Sequence, residues 1–303
     1  MNEHDLLEAI GKTDEKLLEA SEKKIIPWKP LLTAAACLLL ILSTAFSLIS
    51  PASDPYTTIA ANSNYQIVTD GENTYLRFDK KQKQELEHNA NHSISVDWPH
   101  YSSVGEMKQA ILSGDFTEHV KTHLYAKAKK NEKGDARICN VNQLYEPLLP
   151  TGACVRYIEF DGSYLFKIDH HHLNITLYAC LDEDDYNSNF AYHYTKRIEE
   201  NVTKTYEETY QGVPITVYKG ERGQTYKCYD LSTETRSFLV IERYSGDARP
   251  DSIPSEVRFF GKMNGAYYHG WIFKAYSTGL DRRPSIEWLQ SFGLKPYEET
   301  ETE

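Results

Sequence analysis

The stretch that most constrains this chain runs from Pro30 to Ser53, PLLTAAACLLLILSTAFSLISPAS, and carries no charged side chain. A soluble domain with 25% charged residues does not ordinarily leave such a run free of Asp, Glu, Lys, Arg and His. As a helix, its apolar heart from Leu31 to Ile49 is about 28 Å long at roughly 1.5 Å per residue. That is close to the roughly 30 Å of a bilayer's hydrocarbon core. The expectation is one transmembrane helix over residues 30–50. A cleaved signal peptide carries a shorter apolar region, about 7 to 15 residues, so the run reads as an uncleaved signal-anchor. Lys23, Lys24 and Lys29 precede it, and residues 51–70 contain no Lys or Arg. The positive-inside rule then predicts a single-pass protein of the cell membrane, with a cytoplasmic N-terminus and an extracellular C-terminal domain.

Residues 1–29 read as an amphipathic arm. Leu6 and Leu7 share a helical face with Ile10, Gly11 interrupts, and Thr13 offers a cap ahead of Leu17 and Leu18. Helices this short are marginal in water, so Leu6, Leu7, Ile10, Leu17 and Leu18 predict docking to a cytosolic protein. The runs LLEAIG (Leu6–Gly11) and LLEA (Leu17–Ala20), ahead of Trp28-Lys29 and an Ala-rich span, resemble single-pass membrane proteins of Gram-positive bacteria with an anti-sigma-factor-like layout. The resemblance implies a bacterial regulator whose inner helices bind a sigma factor and whose outer domain senses. It covers about the first 50 residues. The chain departs from the zinc-binding version of that pattern, because the arm holds His4 but no cysteine pair.

Composition narrows the partners. The net charge is −11, and with no basic patch to offset it, nucleic acid is excluded as a partner. Beyond the span lie Cys139, Cys154, Cys180 and Cys228. Cys139 and Cys154 are the best-placed disulfide pair, but Cys154, Cys180 and Cys228 fall in apolar, strand-like runs that predict buried thiols.

The remaining chain predicts a stalk over 51–63, a folded domain over 64–296 and an acidic tail over 297–303. Asp70-Gly71 sits between two alternating runs, a hairpin signal, and Lys80 to Asn91 reads as an exposed charged segment. Ser103 caps a helix ended by Gly114, and Asp115 opens a second that runs to the Lys127–Lys130 cluster. From Ala136 the chain reads as strands: Val155–Phe160, Tyr164–Ile168, Leu173–Leu181, Ala191–Ile198, Lys204–Tyr210, Ile215–Lys219, Thr225–Tyr229, Phe238–Arg243, Val257–Gly261 and Tyr267–Tyr276. A short helix over Ser285–Phe292 closes the domain. The fold class expected is therefore α+β: a mostly antiparallel sheet with a helical pair and a C-terminal helix, preceded by one transmembrane helix.

Few residues suggest chemistry. His119 and His123 lie four apart on one helix face, and His170, His171 and His172 add three imidazoles; with His193 these are the weak metal candidates. No third-ligand motif accompanies them, and no metal or other cofactor is expected. The run Asp182–Asp185 fails the calcium-loop spacing in either register and reads as a solvated acidic turn. Neither a Gly-x-Ser-x-Gly elbow nor a phosphate-binding glycine motif occurs. The function expected is a membrane-anchored extracytoplasmic binding or sensing protein with an unknown extracellular ligand, coupled to a cytosolic regulator. The alternatives are a cell-envelope enzyme such as a hydrolase and a surface structural or adhesive protein. No catalytic residue is assigned.

Overall fold

The structure, a computed structural model, describes residues 54–90, 96–171, 173–249, 252–273 and 283–299. Two units divide the chain, Met1–Pro55 and Tyr56–Glu303, and every element below belongs to the second. A small antiparallel sheet comes first, from β1 (Thr57–Ala61), β2 (Gln66–Thr69) and β3 (Thr74–Arg77). Helices α1 (Lys80–Ala90), α2 (Val104–Ser113) and α3 (Glu118–Lys127) follow, with the two-residue β4 (His100–Tyr101) ahead of α2. β5 (Ala136–Ile138) returns to the small sheet beside β3, and β6 (Tyr145–Leu148) leads out of it.

Two meanders make the large sheet. β7 (Cys154–Phe160), β8 (Tyr164–His170) and β9 (Leu173–Ala179) form the first. After α4 (Glu183–Ala191), a π-helical turn (Tyr192–Lys196) and a short 3-10 turn (Glu199–Asn201), six strands form the second. These are β10 (Val202–Tyr210), β11 (Val213–Gly220), β12 (Thr225–Asp230), β13 (Arg236–Tyr244), β14 (Glu256–Met263) and β15 (Ala266–Phe273). β15 pairs antiparallel with β9, so the ten-stranded order is β10-β11-β12-β13-β14-β15-β9-β8-β7-β4. Helix α5 (Ile286–Gln290) and β16 (Gly293–Pro296), which pairs with β6, end the described chain.

This topology dictates where the helical connection runs. β9 lies in the interior of the sheet and β10 at its edge, six inter-strand spacings apart in the observed order. At about 4.8 Å per spacing the chain must cross roughly 29 Å of sheet. One face is already occupied: Phe166, Leu177, Phe238, Val240 and Phe259 belong to the main apolar cluster with Met107 and Ile111 of α2, Leu124 of α3 and Leu289 of α5. The crossing therefore lies on the opposite face, where Ile198, Tyr226, Cys228, Ile241 and Phe260 form a second cluster. Tyr186, Phe190 and Tyr194 pack onto that cluster.

Local chemistry explains most of the elements. Ser103 Oγ accepts from the Glu106 amide, Gly114 ends α2 at φ 75°, and the Glu106 carboxylate accepts from the Ser102 amide and hydroxyl. Together these satisfy backbone groups that a helix terminus leaves open. In the β14–β15 hairpin Asn264 and Gly265 sit at φ 53° and 78°, the paired positive φ values of a type I′ turn. Two glycines in that hairpin carry rings instead of side chains. Gly261 faces Tyr268 and Gly270 faces Phe259 across the register, and a Cβ on Gly270 would sit 2.2 Å from the Phe259 ring.

Several expectations are corrected. The stretch 30–50 lies outside the described residues, and among those described no helix is long and apolar enough to cross a membrane. The longest is the 11-residue, strongly polar α1, about 16 Å at 1.5 Å per residue where a span needs about 20 residues. The fold class of the described residues is therefore α+β with a mostly antiparallel sheet, and none of their helices spans a membrane. The single-pass, signal-anchored membrane location, with its cytoplasmic N-terminus and extracellular domain, is not supported.

Within the domain, Thr57–Ala61 of the expected stalk pairs with β2 as an edge strand. Lys80–Ala90, exposed along most of its length as expected, forms a helix that buries Leu86. The second helix of the pair begins at Glu118, capped by Thr117. Asp182–Asp185 is no free acidic turn: Asp182 caps α4 by accepting from the Asp185 amide at 2.6 Å and pairs with Arg137. Of the expected strand Ala191–Ile198, Ala191–Lys196 is helical and the last two residues form a turn, because Tyr186, Phe190, Tyr194 and Ile198 recur every four residues and all reach the sheet. Alternating aromatics had imitated a strand.

Candidate functional site

The sequence-predicted candidates do not converge. On α3, His119 and His123 meet ring to ring at 4.8 Å. At the end of β8, His170 and His171 meet at 4.2 Å, and His170 also packs on Trp288 at 5.4 Å. The side chain of His172 is outside the described residues. No three His, Cys, Asp or Glu side chains come together as metal ligands among those described. The docking residues Leu6, Leu7, Ile10, Leu17 and Leu18 also lie outside the description. The described cysteines are all free, so Cys139 and Cys154 are not bridged. Cys139 and Cys228 are buried and Cys180 partly so. Burial pushes the Cys139 thiol up to about 12, which keeps it protonated. Cys154 is exposed, contrary to expectation, because it opens β7 on the solvent side.

A different constellation forms where the crossing segment passes over the sheet. A cleft of about 570 Å³ opens between the π-helical turn, the β11–β12 turn and strands β13 and β14. That volume falls within the roughly 300–1,000 Å³ of small-ligand sites. Lys196, Arg197, Arg222, Arg243 and Arg258 line it, against two carboxylates, Glu221 and Glu256. The chain as a whole is strongly acidic, so this concave spot is a local reversal of sign. Clefts lined by one charge focus the field and concentrate counter-charged ligands.

Arg258 is the most constrained of these cations. In register it lies between Ile241 of β13 and Trp271 of β15, with its guanidinium 5.7 Å from the Trp271 ring centre. Its Nε is paired with Glu256, whose other oxygen lies 3.7 Å from Arg243 Nη1. Arg258 Nη1 also donates to His193 Nε2 at 3.1 Å. A guanidinium has no acceptor to offer, so His193 Nε2 must be unprotonated and the ring proton resides on Nδ1. That Nδ1 is buried without a hydrogen-bond partner among the described residues, as is Nδ1 of His269.

Both imidazoles are held neutral. Burial, then the charges of Arg258 and Arg197, lowers His193 to about 4. Burial, then His193 and Arg258, lowers His269 to about 3. The Arg258 pKa is itself drawn down, first by burial and further by Arg197, although Glu256 offsets part of this. The cleft thus holds fixed positive charge above neutral rings. At the mouth, Arg197 lies 5.0 Å over the Tyr192 ring and donates to its hydroxyl at 3.3 Å. Lys196, Arg197 and Arg222 form no ion pair with a carboxylate among the described residues.

Sequence reading missed this site because its residues come from four separated stretches, none with a motif. Two signals were present. Arg243 and Arg258 sit in phase with Ile241 and Phe260, on the face opposite the main core, in runs otherwise read as buried strand. The charged turn between Gly220 and Gly223, which has no phosphate-binding glycine pattern, supplies Glu221 and Arg222 to the rim. His193, grouped by sequence with the metal candidates, instead orients a guanidinium.

No protein-family model matches this chain, and no curated protein matches it.

Proposed function

We propose that this chain is a binding or sensing protein whose 56–303 unit captures a small anionic ligand in the cationic cleft. The observation that carries the reading is the convergence of Lys196, Arg197, Arg222, Arg243 and Arg258 on one concave surface of a chain with net charge −11. Arginine is suited to this task because its planar fork matches phosphate and carboxylate oxygens in pairs. Arg258 is already held by Glu256 and His193, which reduces the ordering cost of binding. The ligand is small rather than a nucleic acid, since the acidic remainder of the surface repels an extended phosphate chain. The same reading retains docking of a regulatory protein by Leu6, Leu7, Ile10, Leu17 and Leu18.

Titration calorimetry of the full chain with inorganic phosphate tests the cleft. Arg197→Glu and Arg222→Glu, both exposed, should each weaken binding by roughly tenfold, the worth of one charge-assisted hydrogen bond. Raising the salt concentration should weaken it further. Absence of binding at millimolar phosphate, or affinities indifferent to both substitutions, would defeat the reading.

A further inference from the structure

We infer that the ligand of this cleft is a phosphorylated sugar, its phosphoryl group held by the guanidinium cluster and one face of its ring resting on an aromatic ledge. The inference rests on the anion reading above and extends it to a ligand class.

The ledge is visible in the register of the sheet. Trp271 stands opposite Arg258 and Phe273 opposite Glu256, so both rings lie on the same sheet face as the cleft, beside two of its lining residues but outside the lining itself. They meet edge to face at 6.4 Å. Among the described residues the exposed large hydrophobics are Tyr192, at 49%, and Phe273, at 41%. Tyr192 adjoins the cleft residue His193 on the π-helical turn. Exposure of large rings is costly in water and marks contact surfaces where it clusters; here each exposed ring adjoins a residue that lines the same charged cleft, His193 or Glu256.

Three features select a sugar phosphate over other anions. First, Lys196, Arg197 and Arg222 leave positive charge uncompensated, which matches a phosphate monoester, about −1.5 to −2 at pH 7, better than a single carboxylate. Second, Asn201, Gln224 and Ser245 stand among the cations in the lining and offer neutral donors and acceptors suited to ring hydroxyls. Third, the aromatic surface is a one-sided ledge. A pyranose presents a C–H face that such a ledge covers. A nucleobase, by contrast, is flat on both sides and is best buried in an apolar slot, and the lining offers only Tyr226 and Ile241 as apolar side chains.

The test is calorimetry of the full chain with four probes: inorganic phosphate, glucose 6-phosphate, glucose and adenosine monophosphate. Glucose 6-phosphate should bind roughly tenfold tighter than phosphate, the scale of one good ring contact, and glucose alone should not bind at millimolar concentration. Phe273→Ala should bring glucose 6-phosphate to within about twofold of phosphate while leaving phosphate unchanged, and Phe273→Tyr should restore the difference. Because Phe273 is exposed, the variant should melt with the parent, and matching melts exclude misfolding. Equal affinity for phosphate and glucose 6-phosphate overturns the sugar inference while the anion reading stands. So does Phe273→Ala weakening both probes alike, or adenosine monophosphate binding tighter than glucose 6-phosphate. Failure of phosphate itself to bind removes the anion reading and this inference together.

Discussion

Removing Arg283 should cost more stability than almost any other single substitution in this domain. Glu242 of β13 is fully buried, and its carboxylate accepts from Tyr229 at 2.8 Å, from Tyr244 at 2.7 Å and from Arg283 Nε at 2.8 and 2.9 Å. Arg283 Nη2 lies a further 2.7 Å from the same group, and its guanidinium stacks 3.5 Å from the centre of Tyr210. Burial alone would lower the Arg283 pKa, yet hydrogen bonding and charge from Glu242 reverse this and raise it. In Arg283→Met two charge-assisted contacts vanish, each worth about 1.5–3 kcal/mol. A buried carboxylate is left without its counter-charge, so the loss should be about 3–5 kcal/mol. At about 2–4 °C per kcal/mol for a domain of this size, the melting temperature should fall by roughly 6–20 °C.

Urea titration followed by circular dichroism measures the loss directly, and an unchanged slope would show that the unfolded state is not the cause. The double variant Glu242→Gln/Arg283→Met removes both charges but keeps an acceptor for Tyr229 and Tyr244. It should recover to within about 2 kcal/mol of the parent. A cost for Arg283→Met below about 1 kcal/mol would refute the reasoning, as would a double variant no better than the single one.

Two further substitutions test the packing on the two faces of the large sheet. Gly270→Ala would place a methyl group 2.2 Å from the Phe259 ring and 2.6 Å from the Thr176 carbonyl oxygen; because the carbonyl cannot step aside, thermal unfolding should show a loss of about 1–3 kcal/mol. His269 has a folded pKa of about 3 against an ordinary 6.5, so the unfolded state binds the proton first. Stability from this group is complete above pH 6.5 and is lost as pH falls toward 3, with a slope up to about 1.4 kcal/mol per pH unit. His269→Phe should flatten the stability profile between pH 6.5 and 4.5, and equal slopes in parent and variant would sink this account.

Parts of this protein were legible in its linear order because they depend on neighbours in sequence. The Ser103 cap, the Gly114 stop, the Asp70-Gly71 turn and the alternating strands of both meanders are local chemistry, and each forms where its residues predict. Errors arose where a local pattern fitted two structures. Tyr192 and Tyr194 alternate like strand residues, yet only Tyr194 belongs to the four-residue repeat that faces the sheet, and Tyr192 points to solvent. Leu86 alone cannot identify α1 as packed, because what buries it is a distant helix. Glu242 carried a quieter signal: alternation puts it in phase with Phe238, Val240 and Tyr244, on the core side, where an unpaired carboxylate would be intolerable. The sequence therefore implied a partner cation without naming Arg283.

Residue order by itself determined the α+β character, the antiparallel hairpins, the helix ends and the acidic excess. Tertiary structure alone decided that the second meander would be laid beside β9 from the far side. That choice forces residues 180–201 across one face of the sheet and brings Arg197, Arg222, Arg243 and Arg258 to a single cleft. The physical reason is that strand order is set by which apolar faces can be covered together, a property of the whole chain. Periodicity reports which side of a strand is buried; it does not report which strand lies next to it.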